Sequence, residues 1–253
     1  MTISKAGKIL FVAGIAGFIF SYFRIRELPP VESLLPSMDK EPVQVKTYKN
    51  PFTVEMNEIK YTITPLYRYE IHGMVVSYFD TGTWYNRYHE QWQDYLNIKD
   101  IGLMWGESLK SGIYKYMNFR SGNWTLYTRF ERDAPREKRK KYRRTQVSNN
   151  HLITDSEDIN RKIMKTNRGD QIRIEGYLSE YEHGEHFFRG TSTSRTDTGQ
   201  GACETIFVTG YEILSAANVR WHNLYRISKL SIFAGFILII VGFAVDPPII
   251  SKN

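Results

Sequence analysis

"GDQIRIEGYL", residues 169–178, decides the fold. From Gln171 to Ser179 apolar and polar side chains alternate, which puts Ile172, Ile174, Gly176 and Leu178 on one face of a β-strand. A glycine in that face lets a strand coil sharply, so the stretch predicts a small, strongly bent, OB-like barrel. The residues just before it predict a short helix. Thr154 and Glu157 fit a capping box, Ile159 and Ile163 share a face, and Asn167-Arg168-Gly169 ends the turn.

Working outward, "VEMNEIKYTITPLYRYEIHGMVVSYF" (54–79) is rich in Ile, Val, Thr and Tyr and predicts two or three strands, broken near Thr64-Pro65 and Gly73. "WYNRYHEQWQDYL" (84–96) sets Trp84, Tyr88, Trp92 and Tyr95 at helical spacing, one packed aromatic face. "DIGLMWGESLKSGIYKYMNF" (100–119) is an apolar run to Trp105-Gly106 followed by a helical turn, and "SGNWTLYTRF" (121–130) is a turn and then a strand. The fold class is therefore α+β, a mainly antiparallel OB-like β-barrel with short helices.

Both ends are apolar. Residues 9–23 run 15 positions and residues 230–245 run 16 without a charge. Each is slightly short of a hydrocarbon layer about 30 Å thick at about 1.5 Å per residue. Lys8, Arg24, Arg26 and Lys229 extend the spans by snorkelling. No A-x-A-like site follows the first run, so it reads as an uncleaved anchor rather than a signal peptide. Two spans put the termini on one side and the domain on the other. Counting nearby cations favours a cytoplasmic domain, whereas a basic start leading at once into an apolar run is the layout of a signal anchor. The expectation is a bacterial inner-membrane protein with a periplasmic domain, a cytoplasmic one being the alternative.

The boundaries follow: an anchor at 1–26, a Pro-rich stalk at 27–50, the globular domain at 51–215, a connector at 216–229, the second span at 230–246 and a tail at 247–253. Pro29, Pro30, Pro36 and Pro42 predict a semi-rigid, extended stalk.

The chain has a net charge of +7. Eight Lys and Arg against two acids within residues 132–144 account for nearly all of it, so a globally basic nucleic-acid binder is disfavoured. That segment is a surface loop or helical arm, and Arg136, Lys138, Arg139, Lys140, Lys141, Arg143 and Arg144 suit anionic headgroups or an acidic partner. Lipid bilayer and an envelope protein are the partners implied.

Candidate chemistry centres on "TSTSRTDTGQGACE" (191–204), which holds the one cysteine of the chain. Asp197 suits an Asx turn on its own backbone, with the flanks forming a hairpin. A five-residue loop sets Ser194 opposite Glu204 and Arg195 opposite Cys203; a one-residue bulge sets Arg195 opposite Glu204 instead. Glu204 shares a strand face with Ile206 and Val208, so it is expected to be buried and to need a donor. His151, Ser194, Arg195, Asp197, Cys203 and Glu204 form the candidate polar cluster, read first as bracing. A hydrolase or transferase using His151, Asp197, Cys203 and Glu204 is the alternative. "EHGEH" (182–186) has no matching Cys/His pair, and no Gly-rich phosphate loop is present, so no metal and no cofactor are called for.

Residues 64–79, 95–106, 121–130, 148–178 and 191–214 together resemble a family of uncharacterised bacterial membrane-anchored proteins. The shared features are a Pro-Leu start, a Trp-Gly pair, Asn-x-His-Leu-Ile, a Gly-Asp strand and Arg-x-Asp-Thr-Gly-x-Gly-Ala-Cys-Glu. The resemblance implies no activity. The sequence as a whole points to a membrane-tethered binding or assembly module of the cell envelope.

Overall fold

The computed structural model describes residues 2–82, 90–184, 186–197 and 203–245. They form two units, Met1–Glu27 with Asn218–Asn253 and Leu28–Ala217.

The first unit is a helix pair, α1 (Ile3–Arg24) and α5 (Val219–Val245). Both helices are long and apolar enough to cross a membrane. At 22 and 27 residues they exceed the apolar runs, because the flanking polar residues remain helical. Gly7, Gly14 and Ser21 of α1 and Ser228, Gly235 and Gly242 of α5 are buried, each set recurring every seventh residue. The backbones touch along this seam: a Cβ on Gly7 would lie 2.8 Å from Ile239 N and 2.9 Å from Gly235 O. Small residues allow such an approach where no hydrophobic drive separates helix from lipid. Large apolar side chains such as Val12, Phe20, Phe233 and Phe243 point outward.

The second unit contains β1 (Val43–Lys46), β2 (Phe52–Met56), β3 (Ile59–Asp80), β4 (Asn97–Met104), helix α2 (Gly106–Lys110), β5 (Met117–Gly122), β6 (Thr125–Phe130), α3 (Arg136–Lys141), β7 (Val147–Ile153), α4 (Glu157–Lys165), β8 (Gln171–His183), β9 (Phe187–Arg189) and β10 (Glu204–Ser215). The strand pairings run in a circuit. β3 pairs with β4, β4 with β7, β7 with β10, β10 with β8, and β8 with β3 again. All are antiparallel except β7 with β10. β1 and β2 add to β3, and β5 and β6 form a separate hairpin.

β3 is one strand of 22 residues where breaks were expected at Pro65 and Gly73. The register with β8 shifts between Pro65 and Tyr67, so a bulge absorbs the missing N–H of proline. A second shift, between Val75 and Ser77, bends the strand toward β4. At Gly176 in β8 the neighbouring β10 backbone comes so near that a Cβ there would collide with the Phe207 carbonyl. Ile172, Ile174 and Leu178 face one core with Tyr69, Ile71, Leu103, Leu152, Ile206 and Val208, and Ile163 of α4 packs on it. The cap of α4 is Ser156, not Thr154: Thr154 Oγ1 donates to Val208 O at 3.0 Å and is committed across the sheet.

Residues 28–50 do not stand off as a stalk. Met38 is buried, and Leu28, Val31, Leu34 and Leu35 pack with it against Met74, Leu109 and Tyr114. Gln171 bridges the segment, accepting from Leu35 N at 2.6 Å and donating to Ser33 O at 2.9 Å. Two short 3-10 turns, Val31–Ser33 and Pro36–Asp39, interrupt the extended path, and apolar residues spaced mostly three apart bind it down. Of the aromatic helix expected at 84–96, residues 84–89 lie outside the described residues, and from Trp92 to Leu96 the chain is turn and irregular rather than helical.

Candidate functional site

The site is built by three neighbouring pieces: the β5–β6 turn, the middle of β7, and the return loop from β9 into β10. Asn123 and Trp124 make a two-residue turn, since Gly122 pairs with Thr125. Trp124 has φ +58°, a left-handed conformation that costs an ordinary side chain about 1–2 kcal/mol. Its N–H donates to Asp100 Oδ2 at 3.2 Å, which holds the turn in place.

The return loop is braced by its own polar groups. Ser192 N donates to Cys203 O (2.8 Å), Thr205 N to Thr191 Oγ1 (2.9 Å) and Thr205 Oγ1 to Gly190 O (2.9 Å). Asp197 accepts from Ser192 Oγ at 2.5 Å. The Asx turn expected after Asp197 falls on residues 198–202, outside those described. The flanks are not a regular hairpin, because β10 takes its ladder partners from β7 and β8.

Arg195 meets Glu204 although no hairpin ladder sets them opposite each other, and its other terminal nitrogen donates to Tyr69 Oη. The guanidinium lies 5.4 Å from the Trp105 ring centre. Glu204 is 4% exposed. Burial pushes its carboxyl up to about 7 even though Arg195 favours the charged form. Tyr69 is raised as well, chiefly by burial.

His151 is buried on β7, opposite Asp100 of β4. Its Nδ1 lies 2.6 Å from Asp100 Oδ1, which also accepts from Asn97 Nδ2 at 3.0 Å. Burial opposes the imidazolium, but the charge and hydrogen bond of Asp100 win and raise His151 to about 9, with nearby Cys203 adding to the rise. Burial likewise opposes ionised Asp100, and His151 overrides it, so this carboxyl is held below its ordinary value. Cys203 is partly exposed. Its Sγ lies 3.5 Å from both Asn149 Nδ2 and Trp124 O.

Above Cys203 opens a cleft of about 470 Å³. Trp124, Tyr142, Asn149, Ser194, Arg195, Asp197, Cys203 and Glu204 are among its walls. Two buried acceptors there, Asn149 Oδ1 and Glu204 Oε2, have no hydrogen-bond partner. Such groups cost roughly 1–3 kcal/mol each when left unpaired.

The structure thus gathers Ser194, Arg195, Asp197, Cys203 and Glu204 around one cleft, with His151 beneath it. Of the basic set only Arg144 lines the cleft. Arg136 is exposed on α3, and its neighbours are engaged locally: Lys138 over the Tyr116 ring, Arg139 with Glu131 O, Lys140 with Glu137, Lys141 with Glu107, and Arg143 with Lys140 O. His183 is spent on Trp92 O at 3.0 Å and on stacking against Phe187.

Asp100, Asn149 and Trp124 were missed by sequence reasoning. Asp100 did carry a signal, a lone acid inside an apolar strand that must be paired to be buried. Comparison with protein-family models, curated proteins and solved structures finds no match to this chain.

Proposed function

We propose that the protein is a membrane-tethered binding module of the bacterial cell envelope, an OB-like barrel anchored in the inner membrane with its domain in the periplasm. The cleft carries this reading. A hollow of about 470 Å³ with buried, unsatisfied acceptors in its walls is costly to the fold and is rewarded by a ligand that donates to them.

Its position supports the same reading. Numbered along the circuit, β3, β4, β7, β8 and β10 are five strands paired in the order 1-2-3-5-4-1, with the third and fifth parallel and α4 between the third and fourth. That connectivity supports the reading as an OB-like barrel, a fold whose ligands occupy the face of strands two and three and the loop between four and five. Here the cleft uses Ser148 and Asn149 of the third strand and the return loop before the fifth. The apolar helix pair and the family resemblance support the envelope assignment. A protein segment is the partner proposed, with the lipid bilayer holding the anchor and the exposed basic helix α3 suited to an anionic surface.

A photo-crosslinker at Thr125, exposed at the cleft rim, tests the reading in native membranes. A discrete product lost with Arg195→Ala, and not formed from a crosslinker at exposed Tyr48, is the expected result. Equal products from both sites contradict it.

A further inference from the structure

We propose that the cleft holds an extended peptide as an added strand on the free edge of β6, with a neutral side-chain amide, Asn or Gln, donating to Glu204 and Asn149. The inference rests on the cleft being a ligand site for a protein segment, and it names the backbone conformation and the side chain that such a segment needs.

Three observations carry it. The first is an unused edge. Among the described strands β6 pairs with β5 alone, and it contributes Thr125, Leu126 and Thr128 to the cleft wall. A strand edge with nothing beside it presents a row of N–H and C=O groups that pair with an extended chain laid along them. β7, which supplies Ser148 and Asn149 to the same cleft, has no ladder partner on its β10 side over residues 147–149, because β10 joins it only at Asn150.

The second is a pair of buried acceptors. Asn149 is 6% and Glu204 4% exposed, both line the cleft, and Asn149 Oδ1 and Glu204 Oε2 have no hydrogen-bond partner. The other polar atom of each side chain is spent: Asn149 Nδ2 donates to Trp124 O at 3.2 Å, and Glu204 Oε1 accepts from Arg195. What remains open on Asn149 and on ionised Glu204 can only accept, so the occupant has to donate.

The third is charge. Arg195 cancels Glu204, and the exposed Arg144 and Asp197 contribute one charge of each sign, so the described walls carry no net charge. A carboxamide brings two N–H donors and leaves this balance intact, whereas a lysine would bury an extra cation beside Arg195. A second copy of the chain suits the edge less well, since β6 itself, TLYTRF, holds neither Asn nor Gln.

The test uses the full chain in detergent at pH 8, where Glu204 is ionised. Occupancy is read as slowed alkylation of Cys203, the single cysteine and part of the cleft wall. The probe is the acetylated, amidated peptide Val-Thr-Gln-Thr-Val-Thr, matched to the six residues of β6, with Met or Lys in place of Gln in two controls. The Gln probe is expected to protect Cys203 at a concentration about tenfold lower than either control. Glu204→Gln keeps an oxygen for Arg195 but replaces the open acceptor by an N–H, and should remove that preference. N-methylation of alternate residues shows whether one edge of the probe pairs: methylating one set should abolish protection, and methylating the other should leave it. Equal protection by the three probes, or equal loss from both methylated forms, overturns the proposal and leaves the cleft a site. Protection by chitotriose instead of the peptides overturns it in favour of a saccharide, and alkylation that slows as the chain is concentrated does so in favour of a second copy. No protection by any probe overturns it as well. The crosslink at Thr125 then separates the two readings: if it still forms and is lost with Arg195→Ala, the cleft remains a binding site, and if it does not form, both readings fail.

Discussion

Glu204→Gln should stabilise the protein at neutral and alkaline pH. The side chain is almost fully buried, and its carboxyl ionises near about 7 in the folded chain against 4.5 for an ordinary glutamate. At about 1.4 kcal/mol per tenfold change, keeping this group ionised in the fold costs about 3 kcal/mol once pH exceeds 7. The sign follows from linkage. A pKa raised by folding means stability fully present below pH 4.5, where both states are protonated, and lost as pH rises through about 7. Glutamine has the size of the protonated acid and never bears this cost. It keeps an oxygen for Arg195, so the brace to the return loop survives. Thermal melts of the two proteins should coincide near pH 4.5 and diverge by about 6–12 °C above pH 7, since about 1 kcal/mol moves a domain of this size by about 2–4 °C. A Glu204→Gln variant that melts lower than wild type at every pH refutes this reasoning. Glu204 would then be a structural brace and its buried charge a net asset.

Other perturbations address the fold. Met38→Ala should cost about 2–5 kcal/mol, because residues 28–50 pack as part of the domain; a loss under about 0.5 kcal/mol on urea unfolding would return them to a stalk. Gly235→Leu in α5 places a side chain where a Cβ already lies 2.6 Å from Phe11 N, so it should abolish crosslinking between cysteines introduced on facing positions of α1 and α5, and unchanged crosslinking refutes the seam. Gly176→Val, against the Phe207 carbonyl, should leave no folded domain by circular dichroism.

The alternation of residues 171–179 was legible because a strand buried on one face needs period two, and Ile172, Ile174 and Leu178 do face the core. The two long apolar helices were legible from composition, being uniform apolar runs, although their ends were not, since flanking polar residues continue a helix at little cost. The Arg195–Glu204 pair was legible as a need, since a glutamate on a buried strand face requires a donor, but not through hairpin register, because β10 pairs with β7 and β8. What escaped depends on partners far along the chain. Pro65 looked like a strand break, and only the bulge against Leu178 and Ser179 reveals why the strand passes through it. The prolines of 28–50 announce an extended backbone but say nothing of Met74 and Tyr114 waiting beneath. Asp100 and Asn149 join the site across strands whose pairing no local pattern states.

The single cysteine offers the most direct test of the account, because Cys203 lines the cleft and reports both its side of the membrane and its occupancy. A membrane-impermeant maleimide should label Cys203 in intact spheroplasts, more slowly than in purified protein, because a native ligand protects it. Labelling only after the membranes are broken would contradict the periplasmic placement, and a thiol equally reactive in membranes and in purified protein would contradict an occupied cleft.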